Sequence, residues 1–217
     1  MTDEDADPVM EATYRALCSH GYASLTMQDI ADETDLSKAA LHYHYDSKHD
    51  LLVSFLDYLY AEFTGRVRGP EGNGPAERLE AFIDDVLVPP EPDEDERVAF
   101  GTAMLELKAQ APYDEDIRER MERFDRFLHE QARALVADGI AAGEFRAVDP
   151  DDTARFLVTA LDGAGTKRVS VGRDTDCTRR MLHSYVETYL MAGEGTDGVT
   201  ASGDGDSEAE PPREVTE

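Results

Sequence analysis

Cysteine, basic residues and long hydrophobic runs are all scarce in this sequence, and each shortage excludes a class of protein. The 217 residues include two cysteines, Cys18 and Cys177, which are too few for a disulfide framework and too far apart for a metal-binding pair. No apolar stretch approaches the ~20 residues of a membrane-spanning helix, and the N-terminus lacks the basic and apolar regions of a secretion signal. We therefore expect a cytoplasmic protein that makes no membrane contact.

Motifs for catalysis are also missing. The sequence contains no glycine-rich phosphate loop, no nucleophile elbow, no Cys-x-x-Cys pair and no Glu-x-x-His motif of helical di-iron sites. His42, His44, Asp46 and His49 are close in sequence, but residues two apart on a helix point to nearly opposite faces. We therefore predict that the protein is not an enzyme and that it binds neither a metal nor a cofactor.

The chain is acidic along its whole length. It has 48 acidic residues against 21 basic ones, and the net charge at pH 7 is −27. An excess spread so widely resembles proteins of very salty cytoplasm, where salt screens self-repulsion within a few ångströms and a charged surface maintains solubility. The alternative is that the acidic surface binds a basic partner protein.

Three helix starts follow one another between residues 24 and 52. The capping side chains are Thr26 with Asp29, Ser37, and Ser47 with Asp50. Hydrophobic staples are predicted at the first two starts, from Leu25 with Ile30 and from Leu36 with Leu41. Because only residues 33–36 remain for the connection between the first two helices, the spacing predicts a helix-turn-helix.

The second of these helices, residues 37–45, has the composition of a recognition helix. Its leading end is small, with Lys38, Ala39 and Ala40, so its backbone can approach base edges in the major groove. The far end, His42-Tyr43-His44-Tyr45, has side chains suited to sugar and phosphate. The segment contains no acidic residue, and Ser47-Lys48 then forms the start of a helix where an anion can bind.

Residues 12–56 resemble the DNA-binding domain of the TetR family of one-component repressors. The residues that carry the resemblance are Gly21-Tyr22, Leu25-Thr26, Ile30-Ala31, Leu36-Ser37, Leu41, Tyr43-His44-Tyr45, Ser47-Lys48 and Leu51-Leu52. The chain departs from the family pattern at Asp35, where the family has glycine, and at His42, where it has tyrosine. The resemblance implies phosphate contacts from Thr26, Ser37, Tyr43, His44 and Lys48, and base-edge or groove contacts from Gln28, Lys38 and Ala39. His42 is also included in the predicted DNA surface.

Beyond this segment, apolar residues recur at helical spacing and no segment alternates like a strand. The predicted fold class is all-α, with an N-terminal three-helix helix-turn-helix domain, a C-terminal helical ligand-binding and dimerisation domain, and about nine helices in total. The predicted domains are residues 8–52 and 53–193, followed by a disordered acidic tail at 194–217.

Residues 143–163 also resemble the TetR family, in its effector-binding and dimerisation domain. This resemblance implies a homodimer in which the last two helices of each protomer pack about a two-fold axis. The residues suited to that contact are Ala160, Gly163, Ala164, Gly165, Tyr185 and Tyr189, and packing within one chain is the alternative.

The resemblance further implies an effector pocket between the middle helices. The candidate lining residues are Phe82, Phe100, Met104, Tyr113, Met121, Phe124, Leu128 and Phe156. These side chains favour an apolar ligand, although each also suits an ordinary helical core.

The sequence therefore predicts a homodimeric repressor that an unidentified small molecule releases from its double-stranded DNA operator. Two alternatives remain at this point. One is an acidic all-helical protein-interaction module without DNA binding, and the other is a helical enzyme, for which no catalytic set is present.

Overall fold

A computed structural model describes residues 8–67, 74–87 and 94–192, and within these ranges the chain is almost entirely helical. The helices are α1 Pro8–Ser24, α2 Met27–Asp32, α3 Lys38–His44, α4 Lys48–Arg66, α5 Pro75–Leu87, α6 Glu94–Lys108, α7 Glu115–Ala141, α8 Pro150–Val171 and α9 Asp176–Tyr185, followed by a short π-helical segment, Val186–Leu190. Phe145 and Met191 form an isolated β-bridge. The all-α prediction is confirmed, and the predicted tail at 194–217 lies outside the described residues.

The helix starts of the N-terminal segment form as their capping residues predict. The Thr26 hydroxyl accepts the Asp29 N–H at 3.3 Å, and the Asp29 carboxylate accepts the Thr26 N–H at 2.8 Å. The hydroxyls of Ser37 and Ser47 accept N–H groups three residues further on, at 3.2 and 3.1 Å. Each cap satisfies a backbone donor that the first turn of a helix leaves unpaired.

One of the two predicted staples is wrong. Leu25 and Ile30 are both buried, but Leu36 is 39% exposed although its predicted partner Leu41 is buried. The Thr34 hydroxyl explains this difference, because it accepts the Leu36 N–H at 2.9 Å and donates to Ala31 O at 3.1 Å. These bonds hold the turn at the protein surface.

Two clusters of buried side chains form the interior, and α4 passes between them. The first cluster joins α1–α4 to α6 and α7; its members include Leu17, Ile30, Leu41, Leu52, Phe55, Ala103, Leu107 and Ile117. The second cluster joins α5, α7, α8 and α9; its members include Leu79, Phe82, Val136, Leu157 and Leu182. Tyr60 and Phe63, on the second half of α4, pack against this second cluster. The predicted boundary at residues 52/53 therefore falls inside one continuous helix.

None of the described helices is both long enough and apolar enough to span a membrane.

Candidate nucleic-acid interface

The predicted recognition helix is a short helix with most of its side chains in solvent. Lys38, Ala39, His42, Tyr43 and His44 of α3 are all exposed. Tyr43 is 87% exposed, and its ring makes an edge-to-face contact with the His44 ring at a centroid distance of 5.3 Å. Leu41 is fully buried on the opposite side. Burial of one leucine therefore orients α3 so that its polar and aromatic side chains face outwards together.

Thr26 and Gln28 lie at the start of α2, where both already make internal hydrogen bonds. The Thr26 hydroxyl donates to the Asp29 carboxylate at 2.8 Å, and the Gln28 amide donates to the Asp32 carboxylate at 2.7 Å. The hydrogen bonds from Thr26, first from its hydroxyl and then from its backbone N–H, lower the pKa of Asp29 below its ordinary value. A base contact through the Gln28 amide nitrogen therefore requires exchange of its bond to Asp32.

Lys48 turns inwards, which differs from its predicted role as a phosphate contact. Its ammonium group donates to the carbonyl oxygens of Leu25 at 2.9 Å and Tyr22 at 3.1 Å, and lies 5.1 Å from the centre of the Tyr22 ring. Lys48 therefore ties the first turn of α4 to the end of α1. The physical reason is that an ammonium group is strongly attracted to carbonyl oxygens left without helical partners.

The same end of α1 is also held from the C-terminal helices. The Glu106 carboxylate of α6 accepts the Tyr22 N–H at 2.6 Å. Gly21, just before it, has φ +68° and breaks α1 there, a backbone conformation that glycine adopts without steric cost. A β-carbon at Gly21 would also approach a Glu106 carboxylate oxygen to 3.1 Å. The Tyr22 residue is thus bound by Glu106 through its N–H and by Lys48 through its carbonyl.

A second polar contact joins the start of α4 to the start of α7. His49 Nε2 lies 2.9 Å from an oxygen of Asp114 and 3.9 Å from an oxygen of Asp116. Asp114 also caps α7, because it accepts the Ile117 N–H at 3.1 Å. The hydrogen bond with Asp114 raises the pKa of His49 above its ordinary value, against an opposing effect of burial. Burial acts to raise the pKa of Asp114, but hydrogen bonds from the Ile117 N–H and from His49 outweigh it and lower that pKa.

His49, Asp114 and Asp116 place one nitrogen and two carboxylate oxygens within 4.8 Å of one another, a spacing that exposed acidic groups commonly show without a metal ion, and we assign no metal to them. The sequence analysis considered His42, His44, Asp46 and His49 as a possible cluster, and only His49 belongs to this group. The sequence analysis did not identify the roles of Glu106 and Asp114. Their hydrogen-bond partners, Tyr22 and His49, lie 84 and 65 residues away in the chain.

A cleft of about 850 Å³ lies among the C-terminal helices, a size suited to a small molecule. Its lining residues are Lys108 of α6; Met121, Glu122, Phe124, Asp125, Arg126, Leu128 and His129 of α7; and Arg155, Val158, Thr159 and Asp162 of α8. Lys108 and Asp162 form an ion pair with each other. The cleft therefore combines apolar side chains with charges of both signs, and the predicted preference for an apolar ligand stays a prediction.

The cleft includes three of the eight candidate pocket residues, namely Met121, Phe124 and Leu128. Phe82 is buried in the second cluster, and Phe100 and Met104 pack against the first. Tyr113 is 89% exposed, and Phe156 is 49% exposed on α8 with its ring against Tyr185. Sequence composition identified the aromatic residues but not which way each helix turns them.

Comparisons with known proteins agree with this architecture. The family described as bacterial regulatory proteins of the tetR family matches residues 9–55, and the C-terminal domain of BetI-type transcriptional repressors matches residues 75–191. The crystal structure of a TetR transcription regulator from Haloarcula marismortui is 40% identical, with a TM-score of 0.77, and the match covers 85% of this chain and 97% of that one.

A more distant solved structure and a more distant sequence relative are also similar to this chain. A transcriptional regulator from Saccharomonospora viridis, solved in complex with choline, has a TM-score of 0.71 at 23% identity, and the match covers 85% of this chain and 96% of that one. The transcriptional repressor AcnR of Corynebacterium glutamicum is 24% identical over 175 residues, which are 80% of this chain and 86% of that protein. The matches to both halves and the 40% identical relative lead to one conclusion. The chain belongs to the TetR family of transcriptional regulators.

Proposed function

We propose that this TetR-family regulator acts as a homodimeric repressor that binds a pseudo-palindromic operator and leaves it when a small molecule occupies the cleft. The observation that carries the DNA-binding part is the surface of α3. In a chain with a net charge of −27, residues 37–45 contain no acidic side chain, and Lys38 and Tyr43 extend into solvent. Such a helix can enter a major groove without bringing negative charge to the phosphates.

The assignment of contacts follows from where each side chain lies. Lys38, Ala39 and Gln28 are placed at base edges because they stand at the leading ends of α3 and α2. Tyr43 and His44 are placed at phosphates because they lie at the far end of α3, and Ser37 and Thr26 because they lie at helix starts. His42 is exposed on the same short helix and joins this surface.

The acidic composition supports function in concentrated salt. Counterion release adds little DNA affinity at molar salt, so hydrogen bonds and apolar contacts from α3 must supply most of it. We therefore place this regulator in a salt-rich cytoplasm, where its charge does not prevent DNA binding.

Fluorescence anisotropy tests DNA binding directly, using duplexes from the upstream region of its own gene and scrambled duplexes between ~0.2 and ~3 M KCl. Lys38→Ala is expected to reduce affinity for the preferred sequence by about fivefold to 100-fold, because one base contact is worth about 1–3 kcal/mol. It should change scrambled-duplex affinity much less. Arg133→Ala is the control for loss of a positive charge, since Arg133 is exposed on α7.

The DNA-binding proposal fails if the wild-type protein selects no sequence at any salt concentration in this range. That result would favour the protein-interaction module that the acidic surface suggests. Equal losses on all sequences for Lys38→Ala would instead contradict only the assignment of Lys38 to a base edge.

A partly exposed aromatic strip supports the homodimer. Phe156, Tyr185 and Tyr189 form it, with ring centroids 5.1 Å apart for the first pair and 5.7 Å for the second. Gly163 lies two turns after Phe156 on α8, and a β-carbon there would meet no atom within 4 Å. Such a face suits close contact with a second copy of itself. Sedimentation equilibrium at micromolar concentration tests it, and a monomer would contradict it.

The cleft is the proposed effector site because one of its walls leads to the DNA-binding domain. Lys108 lines the cleft, and Glu106, two residues earlier on α6, binds the Tyr22 N–H. A ligand that shifts this end of α6 therefore changes a contact that positions α1. By linkage, the ligand must weaken DNA binding by the same factor by which DNA weakens ligand binding.

The lining suits a ligand with an apolar body and a charged group. Phe124 supplies an aromatic ring next to the carboxylates of Glu122 and Asp125, a combination that binds organic cations. Choline is the first probe, because a relative of the same fold was solved with it.

Filling the cleft should remove the response to the effector and leave DNA binding intact. Thr159→Trp places an indole in the cleft, so release from DNA by choline is expected to require at least about tenfold more ligand. Thr102→Trp is the matched control: the hydroxyls of Thr159 and Thr102 each donate to the carbonyl oxygen four residues earlier on their own helix, at 2.7 and 2.8 Å, but Thr102 is exposed on α6 and does not line the cleft. A choline response that is unchanged in Thr159→Trp would place the effector elsewhere.

A further inference from the structure

His49 occupies a junction between the DNA-binding helices and the C-terminal helices. It is the second residue of α4, and only residues 45–47 separate that helix from α3. Its imidazole bonds Asp114 at the start of α7, which is 65 residues away in the chain. A change in this contact therefore acts at the base of the recognition helix.

We propose that the His49–Asp114 hydrogen bond is a proton-controlled latch, and that His49 is a positioning residue for DNA binding. The closed latch fixes the helix-turn-helix relative to the C-terminal helices. Fixing that orientation reduces the entropy lost when two recognition helices enter successive grooves together. The proposal rests on the proposed DNA-binding function.

Among the described residues, the other ion pairs between α4 and α7 are formed by arginine and not by histidine. Asp57 of α4 accepts from Arg123 at 3.0 Å and from Arg120 at 3.3 Å. Arginine stays protonated throughout this range. Among the α4–α7 ion pairs of the described residues, those of His49 with Asp114 and Asp116 are therefore the ones that involve a histidine, the side chain whose charge changes around neutral pH.

The groups facing His49 are mainly carboxylates. Asp50 of its own helix lies 3.6 Å from Nδ1, whereas Asp114 and Asp116 of the α7 start lie 2.9 and 3.9 Å from Nε2. Arg120 lies 3.8 Å from Asp116 and offsets part of that charge. A protonated imidazole is attracted to all three carboxylates, and a neutral one loses this attraction.

The direction of the pH dependence follows from the shifted pKa values. The pKa of His49 is raised by the hydrogen bond with Asp114, and the pKa of Asp114 is lowered. The latch is therefore fully formed between about pH 4 and about pH 6.5, the ordinary values for aspartate and histidine. Its contribution is lost as pH rises through the raised pKa of His49.

The test compares DNA affinity across pH in four proteins: the wild type, His49→Gln, Asp114→Asn and the control His183→Gln. The buffer contains a chelator so that no metal ion binds the carboxylates around His49. Between about pH 6 and pH 9, wild-type affinity is expected to fall about fivefold more than that of His49→Gln, which keeps a donor but cannot gain charge. Asp114→Asn should behave like His49→Gln, because asparagine still caps α7. Other histidines on the proposed DNA surface, such as His42 and His44, are present in all four proteins, so their effects cancel in the comparison.

His183→Gln is the matched control. His183 makes the same type of contact, 2.9 Å from Asp84, but this pair joins α9 to α5 and lies away from the DNA-binding helices. Its pH profile should equal that of the wild type. A wild-type profile that coincides with those of His49→Gln and Asp114→Asn would overturn the proposal, as would an affinity that rises when His49 loses its proton.

NMR titration of the His49 imidazole provides a DNA-free measurement. The pKa in the wild type is expected to lie above that in Asp114→Asn, and equal values would show that the latch does not form. A protein that binds no DNA overturns the proposed function and with it the positioning role, whereas the NMR result judges the latch itself.

Discussion

Phe156→Glu is expected to convert the proposed homodimer into a monomer and to weaken operator binding by about 10²–10⁴-fold. The magnitude follows from linking two recognition helices, because the second helix binds as an intramolecular event once the first is in place. A glutamate at Phe156 would place two carboxylates close together where the aromatic strips of two protomers meet. Desolvation and like-charge repulsion then oppose the contact.

Sedimentation equilibrium and anisotropy on a full operator measure these two consequences. Ala134→Glu is the matched control, because it adds the same charge at an exposed position of α7. Circular dichroism should show unchanged helicity in both variants, since Phe156 is already 49% exposed. A Phe156→Glu protein that remains dimeric would place the two-fold contact on another surface.

Lys48→Ala is expected to lower the free energy of unfolding by about 1–3 kcal/mol and to weaken binding to all DNA sequences equally. The variant leaves the carbonyl oxygens of Tyr22 and Leu25 without their charged donor, and hydrogen bonds to charged groups contribute energies of this size. The end of α1 then loses its connection to α4. DNA affinity falls because the helix-turn-helix is less well ordered, whichever bases are present.

Urea unfolding and anisotropy together separate this role from a direct phosphate contact. Lys38→Ala provides the comparison, because Lys38 is exposed and its loss should change sequence preference with unfolding free energy within about 0.5 kcal/mol of wild type. If Lys48→Ala weakened DNA binding without any loss of stability, the phosphate contact inferred from the family resemblance would explain Lys48 better than the internal bonds do.

Phe156→Glu and Lys48→Ala change different parts of the chain, and side chains of α4 and α6 connect the helix-turn-helix to the C-terminal helices. Glu106 and Lys48 bind the two sides of Tyr22, while His49 binds the start of α7. A ligand in the cleft, a proton on His49 and an operator on α3 would therefore act on one connected set of contacts. Measuring the choline response of His49→Gln at one pH would show whether the latch and the cleft act independently.

The sequence by itself determined the helix starts and the exposed face of α3 that we propose contacts DNA. Helix starts such as Thr26 with Asp29 depend on partners three residues apart, so local chemistry specifies them. The spacing of apolar residues likewise indicates which face of a helix is buried, as for Leu41 on α3. The exposed positions of Lys38 and Tyr43 follow from the same short-range pattern, which is why they were predicted.

Only the tertiary structure decided what the distant side chains contact. Lys48 reaches Leu25 across 23 residues, and Glu106 reaches Tyr22 across 84. Tyr113 and Phe156 are exposed and Phe82 is buried, although the sequence alone made these three aromatic residues equal candidates for a pocket. Periodicity describes one helix at a time, and the cleft and the His49 latch depend on how several helices are rotated and packed together. That arrangement minimises the free energy of the whole chain, so no single segment of the sequence specifies it.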